Sequence, residues 1–333
     1  MNYGKLVAAL VVSFFASVIF LLFLIPYLKR KKAGQQILCY VGEHSKKSGT
    51  PTMGGIAFVT VSIIVALFCC EGDKTLAQLT LVTYFAYGVA GFMDDYLKIA
   101  NKRNLGLKAY QKIVLQTGIA VILAVFCYKN MLIDGYIILP FTNKETNIGI
   151  WIIPLVVFAF LAMSNGVNLT DGLDGLAGST SLVYLCGAAA FLIYAATEAF
   201  SAGRTVIGAE YFNLVIVCAS VIGALCAFLI FNAFPAKIFM GDTGSLALGA
   251  VCACVLLLSK FTLLIPFLGV MFAVSCVSVI VQVVYFKLTK KRVFLKAPFH
   301  HHLQLKGLGE SNICAIYSTI TGIVSFVCFV FSI

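Results

Sequence analysis

Acidic side chains gather in a few short polar stretches of a chain that is otherwise strongly apolar. The first stretch places Asp94 and Asp95 side by side, with Lys98 four residues after Asp94. On a helix, Asp94 and Lys98 share one face, while Asp95 points roughly 100° away. An ordinary ion pair at a solvated helix end explains this pattern. Two carboxylates that divide the duties of a metal ligand and a proton acceptor also explain it.

A second stretch carries four amide or acid side chains at every third position: Asn165, Asn168, Asp171 and Asp174. On a helix this spacing produces one slowly drifting polar stripe. Gly172 and Gly175 weaken a regular helix and favour a loop that bends against a ligand or begins the next helix. The alternative is a capped turn between two helices, in which Asp174 is the N-cap.

A third stretch, residues 232–245, contains Asn232, Phe239 and Asp242 and ends in Thr243-Gly-Ser245 before a long apolar run. A helix that begins here offers backbone N–H groups to a phosphate, and Asp242 is placed to hold a hard cation beside it. Asp242 also suits the role of that helix's own N-cap.

Two further stretches have the composition of anion-binding loops. Three consecutive histidines, His300, His301 and His302, follow Ala297-Pro298-Phe299. Zinc sites usually spread their ligands, and no cysteine or second histidine cluster accompanies these three. Lys47 precedes a loop of glycines and hydroxyls, Gly49-Thr-Pro-Thr-Met-Gly-Gly55, which is not a Walker motif. Histidine, lysine and backbone donors all suit phosphate oxygens.

The elements that position these residues are predicted to be membrane helices, because 61% of the 333 residues are hydrophobic and only 11% are charged. About 20 apolar residues are needed for a helix to cross a bilayer. Ten runs without a charged side chain approach or reach this length: 6–28, 53–70, 76–93, 113–128, 148–162, 176–197, 211–235, 243–259, 261–286 and 311–333. We therefore predict an all-α integral membrane protein with ten transmembrane helices in a single polytopic domain, 1–333.

The distribution of lysine and arginine predicts the orientation of these helices. Eighteen of the 24 basic residues fall in one set of loops, which is therefore predicted to be cytoplasmic, with both termini on the other side. Five aspartates then lie at the cytoplasmic boundary: Asp94, Asp95, Asp171, Asp174 and Asp242. The net charge of +11 is typical of loops that face anionic lipid, so we expect membrane lipid and no nucleic acid as a partner.

Taken together, the five stretches resemble the phospho-N-acetylmuramoyl-pentapeptide-transferase (MraY) family, within the polyprenyl-phosphate N-acetylhexosamine-1-phosphate transferase superfamily. The resemblance covers residues 47–302 and rests on the motifs GTPTMGG, GFMDDYLK, NLTDGLDGLA, FMGDTGSLALG and APFHHH. The family's lysine after the DD motif is Lys108 or Lys112, and the surrounding residues favour Lys112.

The resemblance implies a Mg²⁺-dependent enzyme of the bacterial plasma membrane, with a cytoplasmic active site, that transfers phospho-MurNAc-pentapeptide from UDP-MurNAc-pentapeptide to undecaprenyl phosphate. The products are UMP and lipid I. The resemblance leaves open whether a phospho-enzyme forms on the way. It also implies a homodimer and a kinked ninth helix, and the kink agrees with Pro266 and Gly269 within the run 261–286.

By the same resemblance, Asp242 ligates Mg²⁺, Asp94 is the base or positions the lipid phosphate, and Asp95 supports the same site. The remaining implied contacts are to the substrates. Those expected at the phosphates are Lys47, Lys98 and Lys112. Those expected at the nucleotide or the sugar phosphate are Asn165, Asn168, Asp171, Asp174, Asn232, Phe239, His300, His301 and His302.

Two alternatives stay open at this point. An enzyme of the same superfamily that uses UDP-GlcNAc would share the aspartates, although it would not be expected to carry PTMGG and HHH in this form. A cation transporter also places acids in membrane helices, but its sites tend to lie at the midplane, whereas every run here is uncharged at its centre.

Overall fold

The computed structural model describes residues 1–31, 49–100, 106–142 and 144–332. Within these residues the chain is mostly helical, as expected from its composition. The helices are α1 (Tyr3–Arg30), α2 (Gly55–Cys69), α3 (Thr75–Ala100), α4 (Ala109–Lys129), α5 (Ile152–Thr170), α6 (Leu176–Ser201), α7 (Thr205–Asn232), α8 (Gly241–Leu257), α9 (Ile265–Leu268), α10 (Val270–Thr289), α11 (Phe299–Leu305) and α12 (Glu310–Ser332).

Eight helices in the described part of the chain are long and apolar enough to cross a membrane, and α2 and α8 are shorter apolar helices. Each of the ten predicted apolar runs coincides with one of these ten helices. The assignment of an integral membrane protein is therefore supported, while the number of crossings and their orientation stay predictions.

The most deeply buried helices of the bundle are α7 and α8. In α8 every residue except Asp242 is buried, so this helix touches neither lipid nor water along most of its length. Helix α3 lies directly against it, because Gly91 has no side chain: an added Cβ there would collide with the backbone at Asp242 and Thr243. This close approach brings the end of α3, with its two aspartates, onto the beginning of α8.

The interruption predicted within the ninth apolar run, 261–286, is observed. A 3-10 turn (Thr262–Leu264) and α9 precede Gly269, which ends α9 and begins α10. Pro266 lies in the first turn of α9, where its missing N–H costs nothing. Helix α10 then continues from Val270 to Thr289.

A short β-hairpin departs from the all-α prediction. Strands β1 (Tyr136–Leu139) and β2 (Lys144–Asn147) pair antiparallel, with Tyr136 opposite Asn147 and Leu139 opposite Lys144. Ile138 also donates its N–H to the carbonyl oxygen of Lys260 at 2.8 Å, so the hairpin is attached to the loop after α8. Strands of four residues leave only a weak periodic signal in a sequence, which explains why the hairpin was not predicted.

Candidate active site

Helix ends that are distant in sequence meet at one end of the bundle. Asp94, Asp95 and Lys98 lie near the end of α3, Lys112 lies in the first turn of α4, and Asp242 lies in the first turn of α8. Asn168 joins them from the last turn of α5. The structure thus brings together residues from three of the five sequence stretches.

The three aspartates form one carboxylate cluster. Asp94, Asp95 and Asp242 each offer an oxygen within 4.8 Å of the others. Asp94 and Asp95 are buried, with only 2% and 0% of their surface exposed. Because buried carboxylates are costly unless cations or hydrogen-bond donors surround them, their immediate partners decide what this cluster can do.

Two lysines compensate part of the negative charge. Lys98 Nζ lies 2.5 Å from Asp94 Oδ2 and 2.9 Å from Asp242 Oδ2. Lys112 Nζ lies 2.5 Å from the same Asp242 oxygen and 3.9 Å from Asp94 Oδ2. The predicted pairing of Asp94 with Lys98 on one helix face is confirmed. The second lysine at the cluster is Lys112 and not Lys108.

Asp242 is also oriented by an amide. Asn168 Nδ2 donates to Asp242 Oδ1 at 2.8 Å and to Ser245 Oγ at 2.8 Å. The other oxygen of Asp242 faces the two lysines. The carboxylate is therefore held on both sides, which is the preorganisation that a ligand-binding group needs.

Asp95 caps α8 from outside. Its carboxylate accepts the backbone N–H of Asp242 at 3.1 Å and that of Thr243 at 2.9 Å, and the Thr243 hydroxyl donates to it at 2.7 Å. These are the N–H groups that an isolated helix leaves without a partner. The alternative in which Asp242 caps its own helix is therefore not observed, because Asp95 of α3 supplies the cap.

Gly241 makes room for this cap. It has a positive φ of 71°, and a Cβ at this position would lie 2.5 Å from Asp95 Oδ2. Any larger residue would meet both a strained backbone and the carboxylate. The glycine before Asp242 is therefore required by the approach of Asp95.

The other two acids of the predicted set differ sharply in their surroundings. Asp171, the C-cap of α5, forms no side-chain hydrogen bond or ion pair with the described residues. Burial raises the pKa of Asp171 well above its usual value, and repulsion from Asp242, Asp95 and Asp174 raises it further. Asp174 accepts the Ala236 N–H at 2.9 Å, whereas the N-cap of α6 is Gly175, so the alternative of Asp174 as N-cap is not observed.

Three predicted contact residues are engaged in the fold itself. Asn232 is buried, accepts the Gly175 N–H at 3.1 Å and donates to the Ile238 carbonyl at 2.8 Å. Asn165 donates to Gln116 Oε1 and to the Leu161 carbonyl, both at 2.8 Å. Phe239 is half-buried, and its backbone pairs with the 51–54 segment. Their predicted roles in substrate binding stay predictions.

The three histidines form the beginning of α11. His300 is fully buried, its ring nitrogens have no hydrogen-bond partner among the described residues, and Gly172 packs against it. Burial, followed by the charges of His301 and Lys296, lowers the pKa of His300 to about 3. His301 and His302 are half-buried, and His302 Nδ1 accepts the Leu295 N–H at 3.2 Å.

Two contacts of the predicted aspartates were not predicted from the sequence. One predicted residue, Lys47, lies outside the described ranges. Leu107 donates its N–H to Asp94 Oδ1 at 2.8 Å, a backbone contact that leaves no trace in residue types. Glu310 Oε2 accepts the Asp174 N–H at 3.0 Å, although 136 residues separate the two. Lys47 falls within 32–48 and lies outside the described residues.

The cluster has the donor chemistry of a site for a hard divalent cation. Three carboxylates face two ammonium groups, which leaves one carboxylate charge without a cation among the described residues. Carboxylate oxygens are the ligands that Mg²⁺ prefers, and the lysines and the cation together would attract phosphate. The residues present therefore fit a magnesium ion.

Comparisons with known proteins place these features in a family context. A model described as glycosyl transferase family 4 matches residues 77–260, and one described as phospho-N-acetylmuramoyl-pentapeptide-transferase signature 1 matches residues 47–59. A protein of Clostridium novyi (strain NT) with the name phospho-N-acetylmuramoyl-pentapeptide-transferase is 41% identical over 325 residues, 97% of this chain and 96% of the relative. A protein of the same name from Clostridium kluyveri (strain NBRC 12016) is 39% identical over 98% of both chains. One from Clostridium botulinum (strain Eklund 17B / Type B) is 42% identical over 97% of this chain and 95% of the relative.

Proposed function

The chain belongs to the phospho-N-acetylmuramoyl-pentapeptide-transferase family, and we propose that its reaction takes place at the carboxylate cluster of Asp94, Asp95 and Asp242. The enzyme transfers phospho-MurNAc-pentapeptide from UDP-MurNAc-pentapeptide to a lipid carrier, undecaprenyl phosphate, which releases UMP and forms lipid I for peptidoglycan synthesis. The match of residues 47–59 to the family signature favours this donor over UDP-GlcNAc.

In this proposal Asp242 ligates Mg²⁺, with Asp94 next to it. The supporting observation is the carboxylate charge that Lys98 and Lys112 leave uncompensated. When bound, Mg²⁺ offsets the repulsion between the two reacting phosphates and stabilises the departing UMP.

The chain's own groups orient the phosphates. Lys98 and Lys112 turn their ammonium groups from the aspartates toward phosphate oxygens, since an ammonium group has three donors. Asp94, whose Oδ1 is fixed by the Leu107 N–H, positions the phosphate of the carrier or accepts its proton. Asp95 acts through α8: it holds Asp242 in place and contacts no substrate.

The donor nucleotide occupies the neighbouring region beside Asp171. A partly buried carboxylate without a hydrogen-bond partner among the described residues suits the single N3–H donor of the uracil ring. We further propose that Asn165, Asp174 and Phe239 complete this pocket, while His301 and His302 contact the sugar phosphate. Lys47, Asn168, Asn232 and His300 stay proposed contacts on the sequence resemblance.

The remaining parts of the proposal concern the whole enzyme. The eight long apolar helices and the shorter α2 and α8 cross the membrane ten times, with both termini outside and the carboxylate cluster at the cytoplasmic face. The excess of basic residues in the loops on that side supports this orientation. The enzyme works as a homodimer.

The deciding experiment replaces the metal ligand. Asp242→Asn keeps the size of the side chain and removes its charge, so we expect UMP release to fall by at least ~100-fold, about 2.7 kcal/mol of transition-state stabilisation. The assay contains both substrates and Mg²⁺ in detergent. Glu198→Gln, an exposed acid of α6, is the control and should retain full turnover.

Thermal unfolding of both variants separates chemistry from folding. Full turnover by Asp242→Asn would remove the metal assignment, whereas an inactive variant with an unchanged Tm supports it. Isothermal titration with Mn²⁺ gives a second readout, because Asp242→Asn should bind the ion more weakly than the wild-type protein does.

A further inference from the structure

A cavity of about 430 Å³ lies between the last turns of α10 and the segment that leads to α11. Its walls carry three cationic side chains, Lys287, Arg292 and Lys296, and an apolar surface of Val279, Val283 and Phe286. None of the residues that line it belongs to the carboxylate cluster. The cavity is therefore separate from the proposed reaction site.

The charge of this cavity is one-sided. No acidic residue lines it, and within the described ranges none of the three cations forms an ion pair. Arg292 Nη1 donates a hydrogen bond to the Leu295 carbonyl at 3.4 Å. Three like charges around one space repel each other, so an anion that enters gains attraction to all three.

The apolar side of the cavity continues into a surface suited to lipid. On α10, Ile280 is 60% exposed and Leu288 is 79% exposed, although both are large aliphatic residues. In a membrane helix such exposure is satisfied by acyl chains. A ligand that fills the cavity thus meets cations at one end and hydrocarbon along the other.

The walls of the cavity are held by specific contacts. Gln282 Oε1, on α10, accepts the N–H groups of Val293 at 3.2 Å and Phe294 at 2.9 Å. Ser278 Oγ accepts the Phe299 N–H at 3.0 Å. The segment that carries Arg292 and Lys296 is therefore fixed against α10 before a ligand arrives.

We propose that this cavity binds the phosphodiester headgroup of an anionic bilayer phospholipid, with an acyl chain along Val279, Val283 and Phe286. The carrier substrate is not the occupant, because its phosphate has to reach Asp242, and no residue of the carboxylate cluster lines the cavity. The bound phospholipid adds to the contacts that already hold the segment before α11 against α10. This site goes beyond the proposed transferase function.

Native mass spectrometry of the purified full-length protein tests the proposal without any nucleotide. Phosphatidylglycerol should bind more tightly than phosphatidylcholine. The triple variant K287Q/R292Q/K296Q should bind phosphatidylglycerol at least ~10-fold more weakly, since it removes all three cations that attract the anionic headgroup. The matched control K290Q/K291Q/K306Q removes the same charge from neighbouring exposed positions that do not line the cavity, and it should stay within about 2-fold of the wild-type affinity because exposed charges away from the bound headgroup are screened.

A second variant tests the cavity without changing its charge. Val283→Trp fills the apolar side and should weaken phosphatidylglycerol binding in the same way, so the proposal is testable even if the triple variant does not fold. Equal binding of the two lipids, or equal losses in the triple variant and its control, would overturn the proposal. Displacement of phosphatidylglycerol by undecaprenyl phosphate or by inorganic phosphate at equal concentration would overturn it too, because the site would then take the carrier or a free anion.

Discussion

Two adjacent aspartates of the same helix have different tasks. Asp94 faces the lysines and keeps an oxygen directed into the cluster, whereas both oxygens of Asp95 accept hydrogen bonds from the beginning of α8. The adjacency of the two residues predicts that their side chains diverge on a helix. It does not predict that Asp95 caps another helix, because the partner N–H groups lie 147 and 148 residues away.

We expect Asp95→Asn to lower the stability of the fold as well as activity. An amide accepts at its oxygen only and carries no charge, so one of the two α8 N–H groups loses its acceptor and the other keeps a neutral one, at a cost of about 1–3 kcal/mol. The Tm in detergent should fall, and kcat should fall more than KM rises because Asp242 shifts. The milder variant Thr243→Val, which removes only the hydroxyl donor, should lie between Asp95→Asn and the wild type. An Asp95→Asn variant with wild-type Tm and a changed pH profile would instead indicate a chemical role.

His300 makes stability dependent on pH. Its pKa is lowered to about 3 in the folded protein, against 6.5 for an ordinary histidine, so the unfolded chain binds a proton between these values while the folded chain does not. Protonation of the unfolded chain therefore lowers the free energy of unfolding as the pH falls below 6.5. At pH 5 the loss is about 2 kcal/mol relative to neutral pH. Around His300 lie His301, Lys296, Gly172 and Tyr317, of which His301 and Lys296 oppose its protonation.

Thermal unfolding at pH 7 and at pH 5 checks this expectation. His300→Gln should lose less stability than the wild type between these two conditions, because glutamine does not titrate. His302→Gln, the half-buried neighbour, is the control and should follow the wild type. Parallel curves for all three proteins would contradict the assignment.

At the scale of elements, the site depends on how closely α3 approaches α8. Gly91 permits this contact, and Gly241 gives Asp95 access to the α8 backbone. Both glycines were visible in the sequence, but a glycine in an apolar run has no distinctive signal, because its importance depends on what packs against it. Acids at the ends of apolar runs do have a distinctive signal, because a carboxylate beside the membrane is costly and therefore rare. The polar helix ends could for this reason be predicted from the sequence.

Gly91→Ala should separate the two helices and reduce both stability and turnover. Its Cβ has no space beside the α8 backbone, and such overpacking costs about 1–3 kcal/mol. Gly118→Ala on α4 is the matched control, because a Cβ there meets no atom within 4 Å. Alanine at Gly118 should leave the Tm unchanged or raise it slightly, since alanine favours helix by about 1 kcal/mol over glycine. Equal behaviour of the two variants in thermal unfolding and UMP release would contradict the packing argument.

For the whole molecule, the sequence was most informative about apolar segments. All ten predicted runs correspond to helices, and the break near Gly269 lies where Pro266 and Gly269 indicated. The β-hairpin and the basic cavity beside α10 were not predicted. The strands of the hairpin are too short to show a two-residue periodicity in the sequence. The cavity lies between α10 and a loop, and the path of that loop depends on hydrogen bonds accepted by Gln282 and Ser278.

The burial of α8 has a consequence for how the protein is assembled. Its 17 residues span only about 25 Å, less than the roughly 30 Å of a hydrocarbon core, and it exposes almost nothing to lipid in the finished bundle. A helix of this kind is held by protein on nearly every side, so its place in the bundle depends on α3 and α5, which pack against it. We therefore expect Asp242 to join the carboxylate cluster only when α3 and α5 are already in place. A chain in which α8 is misplaced would keep its other apolar helices and lack the cluster.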